Sequence, residues 1–142
     1  MRPFVVVDTN VLVGGLLTTD DTSPVAGVID GVLAGRFPFL LSPQLVAEYR
    51  EVLLRPKLRS LHRLTEEEVE TILVEVAANG IWHEPIRAAP SAPDPGDDHL
   101  WDLLRSSQGA ILVTGDRLLL EKPPEFASVL SPQSFLDLLA QK

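Results

Sequence analysis

The chain has 142 residues, a formal net charge of −8, 45% hydrophobic and 23% charged residues, which suits one domain with a sizeable core and is too apolar for a disordered chain. The absence of cysteine excludes disulfides, zinc–thiolate sites and thiol nucleophiles, so any metal must be held by oxygen or imidazole. The negative charge argues against a broad basic surface for nucleic acid, because phosphate neutralisation supplies most non-specific affinity.

Pro3 to Asp8 is a β-branched and aromatic run closing on an acid, the pattern of a buried parallel strand. It is too short for a signal-peptide core, and no later run approaches a membrane span, so the expected compartment is the cytoplasm. Asn10 to Leu17 follows as a short helix and 18–23 as a polar connection. Ser23-Pro24 then opens a helix with Val25, Val28, Ile29, Val32 and Leu33 on one face, ended by Gly35. The Ser-Pro start recurs at Ser42-Pro43 and Ser131-Pro132.

Phe37 to Leu41 is the second expected strand and Gln44 to Leu54 the next helix, with Pro56 as its stop. Thr65 to Ala78 forms a helix capped by Thr65 and opened by three glutamates that complement its dipole; Asn79-Gly80 ends it. Ile81 to Ile86 reads as a third strand and 88–96 as a proline-rich loop without regular structure. Asp97 to Ser107 is a helix, Ala110 to Thr114 a strand, Arg117 to Glu121 a helical turn, Phe126 to Leu130 a last strand and Gln133 to Gln141 the closing helix. This alternation predicts an α/β fold with a parallel sheet covered on both faces, whose ligands sit outside the carboxyl ends of the strands where the strand order switches.

Four acids fall at such positions. Asp8 ends a strand, Asp97 and Asp98 open a helix after a loop, and Asp116 follows a strand across Gly115. Glu48 occupies the i+3 slot of an apolar stripe formed by Leu45, Tyr49, Val52 and Leu53, where an unpaired charge costs several kcal/mol. Each aspartate alone is as well explained as a helix cap or turn residue. Together, four carboxylates within ~5 Å would repel by roughly 3 kcal/mol per pair, and nothing else in the crevice-forming segments offsets this. All-oxygen ligation points to Mg²⁺ or Mn²⁺. His62, His83 and His99 lack metal-ligand spacing and read as surface or loop residues, and Trp82 and Trp101 as core. Arg50, Arg55, Lys57, Arg59 and Arg63, with His62 beside them, concentrate positive charge that reads equally as a solvated helix end or as an RNA track. Phosphate-cradling glycine loops and serine-nucleophile motifs are missing, which disfavours a nucleotide-handling or phosphatase-like protein.

The stretches VVVDTNVLV, SPQLVAEYREVLLRPK, DPGDDHLWDLL, ILVTGD and LSPQSFLDLL, in that order, resemble the PIN-domain family, in particular the toxin components of bacterial and archaeal toxin–antitoxin pairs. The resemblance implies a single PIN-like domain over residues 1–142, a three-layer α/β/α sandwich with a short parallel sheet of four to five strands. It also implies a Mg²⁺- or Mn²⁺-dependent endoribonuclease that hydrolyses RNA phosphodiester bonds. Asp8, Glu48, Asp97 and Asp116 match the acidic metal-binding quartet, Asp97 being preferred because it shares a helix face with Trp101 and Leu104. Asp98 is an auxiliary ligand, and Asn10 and Thr114 match supporting polar positions. Arg50, Arg55, Lys57 and Arg59 are the candidate RNA contacts. RNA, a cognate antitoxin and a second copy in a homodimer are the implied partners. A catalytically silent PIN-like RNA-binding or regulatory module is the competing reading. Arg105 to Gln108 departs from the small apolar residues common in the family, which predicts weaker packing of that helix.

Overall fold

The computed structural model describes residues 3–84 and 91–141. Strand β1 (Val5–Val7) pairs in parallel with β4 (Ile111–Val113), and β4 with β5 (Ser128–Leu130). Strand β2 (Leu40–Leu41) pairs in parallel with β3 (Ile81–Trp82) and is tied to β1 by a parallel bridge from Phe39 to Val5. The resulting order is β3-β2-β1-β4-β5, all parallel, with helices on both sides. Every residue of β1 and β4 is buried, as expected for apolar strands sandwiched between helix layers. The α/β architecture expected from the alternation is therefore the observed one.

The order places the topological switch between β1 and β4. From β1 the chain crosses by α1 (Thr9–Leu17) and α2 (Pro24–Ala34) to β2 on one side, and it returns through α6 (Asp98–Arg105) to β4 on the other. A crevice opens at the carboxyl ends of two strands whose connections leave in opposite directions. Helix α3 (Pro43–Leu53) follows β2, and its buried Tyr49 hydroxyl donates to Val7 O at 2.5 Å, fixing α3 against the end of β1.

Local chemistry sets the helix starts. Ser23, Ser42, Thr65 and Ser131 each accept a backbone N–H in the first turn, and Thr65 with Glu68 completes a capping box at the start of α5 (Glu66–Asn79). Gly35 ends α2 in the left-handed conformation at φ 67°. Helices α1 and α2 approach closely at Gly15, where a Cβ would lie 2.8 Å from Val25 O and collide with Ile29.

Several expectations are corrected. Helix α3 ends at Leu53, within a residue of the expected stop before Pro56, but Pro56 also opens an unexpected helix, α4 (Pro56–His62), its fixed φ suiting a first helical position. The second strand shrinks to two residues, with Phe39 reduced to the bridge, and β3 covers only Ile81 and Trp82; residues 85 and 86 of the expected strand lie outside the described residues. Pro95–Asp97 forms a 3-10 turn within the segment expected to be irregular, of which 88–90 lie outside the described residues. Trp101 is core, but Trp82, on the edge strand, is 46% exposed and donates its indole N–H to Ala77 O. The Arg105 side chain in α6 is largely buried, pairs with Asp102 at 2.9 Å and lies 4.7 Å over the Phe126 ring. Helix α7 (Arg117–Glu121) and α8 (Pro132–Ala140) fall within a residue of expectation.

Candidate metal centre

Asp8 leaves β1 as the N-cap of α1 and is 6% exposed. Its Oδ1 accepts the Thr9 N–H at 2.8 Å; its Oδ2 accepts the Thr114 hydroxyl at 2.7 Å and the Asn10 amide at 3.1 Å. Thr114, at the end of β4, is itself fully buried, and its hydroxyl accepts the Asp116 N–H at 3.0 Å. The Asn10 carbonyl oxygen accepts the Gly115 N–H at 3.0 Å. Asn10 and Thr114 thus tie the two strand ends into one network that fixes the Asp8 carboxylate. Asp116 caps α7 by accepting the Leu118 N–H at 2.9 Å.

Asp8, Glu48, Asp97 and Asp116 all line one crevice of about 510 Å³, walled on its apolar side by Val13, Leu17 and Val52. Asp98 is not among the lining residues; its Oδ1 accepts the Ala92 N–H at 2.9 Å and so anchors the preceding loop. Among the described residues, no three Asp, Glu or His side chains converge closely enough to hold one ion together. The expected cluster is therefore looser than four carboxylates within ligating distance of one another.

The electrostatics nevertheless reflect shared confinement. Burial, opposed by the Thr114 and Thr9 hydrogen bonds and reinforced by the charges of Glu48 and Asp116, raises the Asp8 pKa above its ordinary value. Asp97 is pushed from 3.8 up to about 6, first by burial and then by the charges of Asp8, Asp94, Asp116 and Glu48. Glu48 goes the other way. The His99 imidazole facing its carboxylate, helped by the Thr9 hydroxyl, outweighs burial and holds it below the usual range.

Sequence reasoning missed both of these groups. Thr9 donates its hydroxyl to Glu48 Oε2, and His99, expected at the surface, is 5% exposed with Nε2 3.6 Å from Glu48 Oε1. The available signal was its place on α6 four residues before Leu103, on the face that packs inward. His62 is half-buried, its Nε2–H donating to Leu53 O at 2.8 Å across the α3–α4 junction, whereas His83 is partly exposed just beyond β3.

The basic residues separate into two groups. Arg50 binds Glu70 of α5 through two hydrogen bonds of 2.6 and 3.1 Å and does not line the crevice. Arg55 does line it, beside Glu51 at 3.2 Å, and Lys57 and Arg59 are exposed on α4 next to it. Positive charge therefore stands at the crevice margin, contrary to the expectation that nothing there offsets the acids.

The carboxylate donors fit a hard divalent cation: two of the acids are raised by burial and mutual repulsion that a cation would relieve. Mg²⁺ commonly takes only one or two protein carboxylates and keeps water in its remaining positions, so the spacing of these groups is compatible with it. Fold and crevice define a doubly wound α/β protein with carboxylates gathered at the topological switch point, an arrangement suited to hydrolytic chemistry on phosphate esters. The PIN domain family pattern matches residues 4–118, and the chain belongs to that family. Family members are typically nucleases that use divalent metals. No curated protein matches the chain.

Proposed function

We propose that the chain is a Mg²⁺- or Mn²⁺-dependent endoribonuclease whose metal sits in the crevice lined by Asp8, Glu48, Asp97 and Asp116, bound directly by one or two of these carboxylates and through water by the others. The observation that carries this reading is the meeting of four carboxylates from β1, α3, the start of α6 and the end of β4 in one crevice, with Asp97 raised to about 6. Bound among these carboxylates, a divalent cation would supply Lewis acidity to activate water and offset charge on the phosphoryl oxygens. Asn10 and Thr114 keep Asp8 oriented, so little reorganisation is needed when the crevice is filled. Arg55 at the margin is placed to meet a backbone phosphate, and Lys57 and Arg59 extend that track along α4. In the reaction the water oxygen forms a bond to phosphorus and its proton leaves to a carboxylate or solvent, while the bond from phosphorus to the leaving ribose oxygen breaks and that oxygen takes up a proton from solvent.

The test is cleavage of a labelled RNA that stops in EDTA and returns with Mn²⁺ or Mg²⁺. Cleavage that persists in excess chelator sinks the proposal. RNA binding without cleavage at any metal concentration supports the catalytically silent module instead. The finer reading is one domain over residues 1–142, acting in the cytoplasm as a homodimeric toxin restrained by an antitoxin. It is supported by the motif resemblance to the toxin branch, and growth arrest on expression, lifted by a neighbouring gene product, tests it.

A further inference from the structure

His99 has no role in the metal reading above, yet its setting is unusual. It lies in a stretch of α6 where Leu100, Trp101, Leu103 and Leu104 are all buried. Its Nδ1 is buried without a hydrogen-bond partner among the described residues. An imidazole with an orphan nitrogen carries a desolvation cost that an aliphatic side chain in the same slot would avoid. The compensation lies at the other nitrogen, which faces Glu48 Oε1 at 3.6 Å, while the Thr9 hydroxyl donates to Oε2. The two oxygens of one carboxylate are thus addressed by donors from two further elements, α6 and α1, and Glu48 itself comes from α3.

We propose that His99 is a positioning residue: its Nε2–H, with the Thr9 hydroxyl, fixes the Glu48 carboxylate at the angle from which it meets the crevice cation. This rests on the metal-dependent reading of the site. At 3.6 Å the contact is longer than a formed hydrogen bond, and such contacts commonly tighten when a site is loaded. Because a donor behind a ligating carboxylate both aims it and tunes its basicity, its removal typically weakens metal binding about 10- to 100-fold.

The experiment measures Mn²⁺ affinity of the whole chain by electron paramagnetic resonance of the free ion, with no RNA present, for the parent, H99L, H99Q and H99N. Glutamine can present an N–H near the position of Nε2; leucine removes it, and the shorter asparagine cannot reach Oε1. H99L and H99N are expected to raise the apparent dissociation constant about tenfold or more, with H99Q within about threefold of the parent. Metal-free melting temperatures report folding, and H99N carries the comparison should H99L not fold. Parent-like affinity in H99L and H99N, or equal weakening in all three variants, overturns the role of His99 while leaving the metal centre standing. A parent that takes up no Mn²⁺ overturns the metal centre itself and this inference with it.

Discussion

Replacing Asp97 by Asn should make the metal-free protein more stable at neutral pH. Asp97 is half-buried, its pKa stands at about 6 against an ordinary 3.8, and its side chain accepts no hydrogen bond among the described residues. A folded-state pKa above the unfolded value means that the native state binds more protons between the two. Stability is then fully present below pH ~4 and falls as pH rises through ~6. A rise of this size corresponds to at most ~3 kcal/mol, and solvent screening at a part-exposed site reduces it to about 1 kcal/mol. For a chain of this length that is a melting shift of about 3 °C. Melts in EDTA across pH 4 to 8 should show parent and variant together at the acid end and the variant higher at pH 7. Saturating Mn²⁺, at a hundred times its dissociation constant, should stabilise the parent by about 2.7 kcal/mol and the variant by much less. A variant that melts at or below the parent in EDTA at pH 7, with an unchanged pH slope, would remove Asp97 from the repulsive crevice. Asp8→Asn is a poorer probe. It removes a charge too, but sets an amide N–H₂ where Oδ2 now accepts from both Thr114 and Asn10, so relief of repulsion is confounded by opposed donors.

Thr114→Val should cost about 2 kcal/mol, because it strips a buried hydroxyl that serves Asp8, Asn10 and the Asp116 N–H; a lower urea midpoint at constant m-value checks this. Converting Arg55, Lys57 and Arg59 together to Ala should weaken binding of single-stranded RNA and lower the slope of log affinity against log salt by up to ~2, at about 0.7 per phosphate contact. An unchanged slope in filter binding would return α4 to the role of plain surface. Arg50→Ala, by contrast, should leave the slope unaltered, since Glu70 already engages that guanidinium.

What the sequence disclosed was local, and what it hid was either tertiary or ambiguous at short range. Ser23, Ser42, Thr65 and Ser131 announce helix starts because a cap is satisfied within three residues. The strands β1 and β4 are legible as apolar runs ending at polar residues. Pro56 was legible as the stop of α3 but not as the start of α4, because the same fixed φ that bars proline from a helix interior suits a first helical position. The alternation implies a parallel sheet but not the order β3-β2-β1-β4-β5, which brings the ends of β1 and β4 together across more than a hundred residues. Of the site, the acids stood out by position. Thr9 and His99 did not, since a threonine after an N-cap and a histidine on an apolar helix face become informative only once α3 is seen to deliver Glu48 between them.

How a chain of net charge −8 could take RNA follows from where its charges are spent. Arg50 is matched by Glu70 and Arg105 by Asp102, so these two acids act on basic residues away from the proposed RNA track, whereas Glu51 offsets Arg55 on it in part. Arg55 at the margin offsets the crevice acids only in part, and each bound divalent ion would remove two further negative charges at the point where a phosphodiester must approach. Metal loading should therefore do more than supply chemistry. It converts the crevice from a patch that repels phosphate into one continuous with Arg55 and the exposed Lys57 and Arg59 of α4. On this reading RNA affinity is coupled to metal affinity by linkage, each raising the other by the same factor. The coupling acts through the field at the crevice, with no change of fold required.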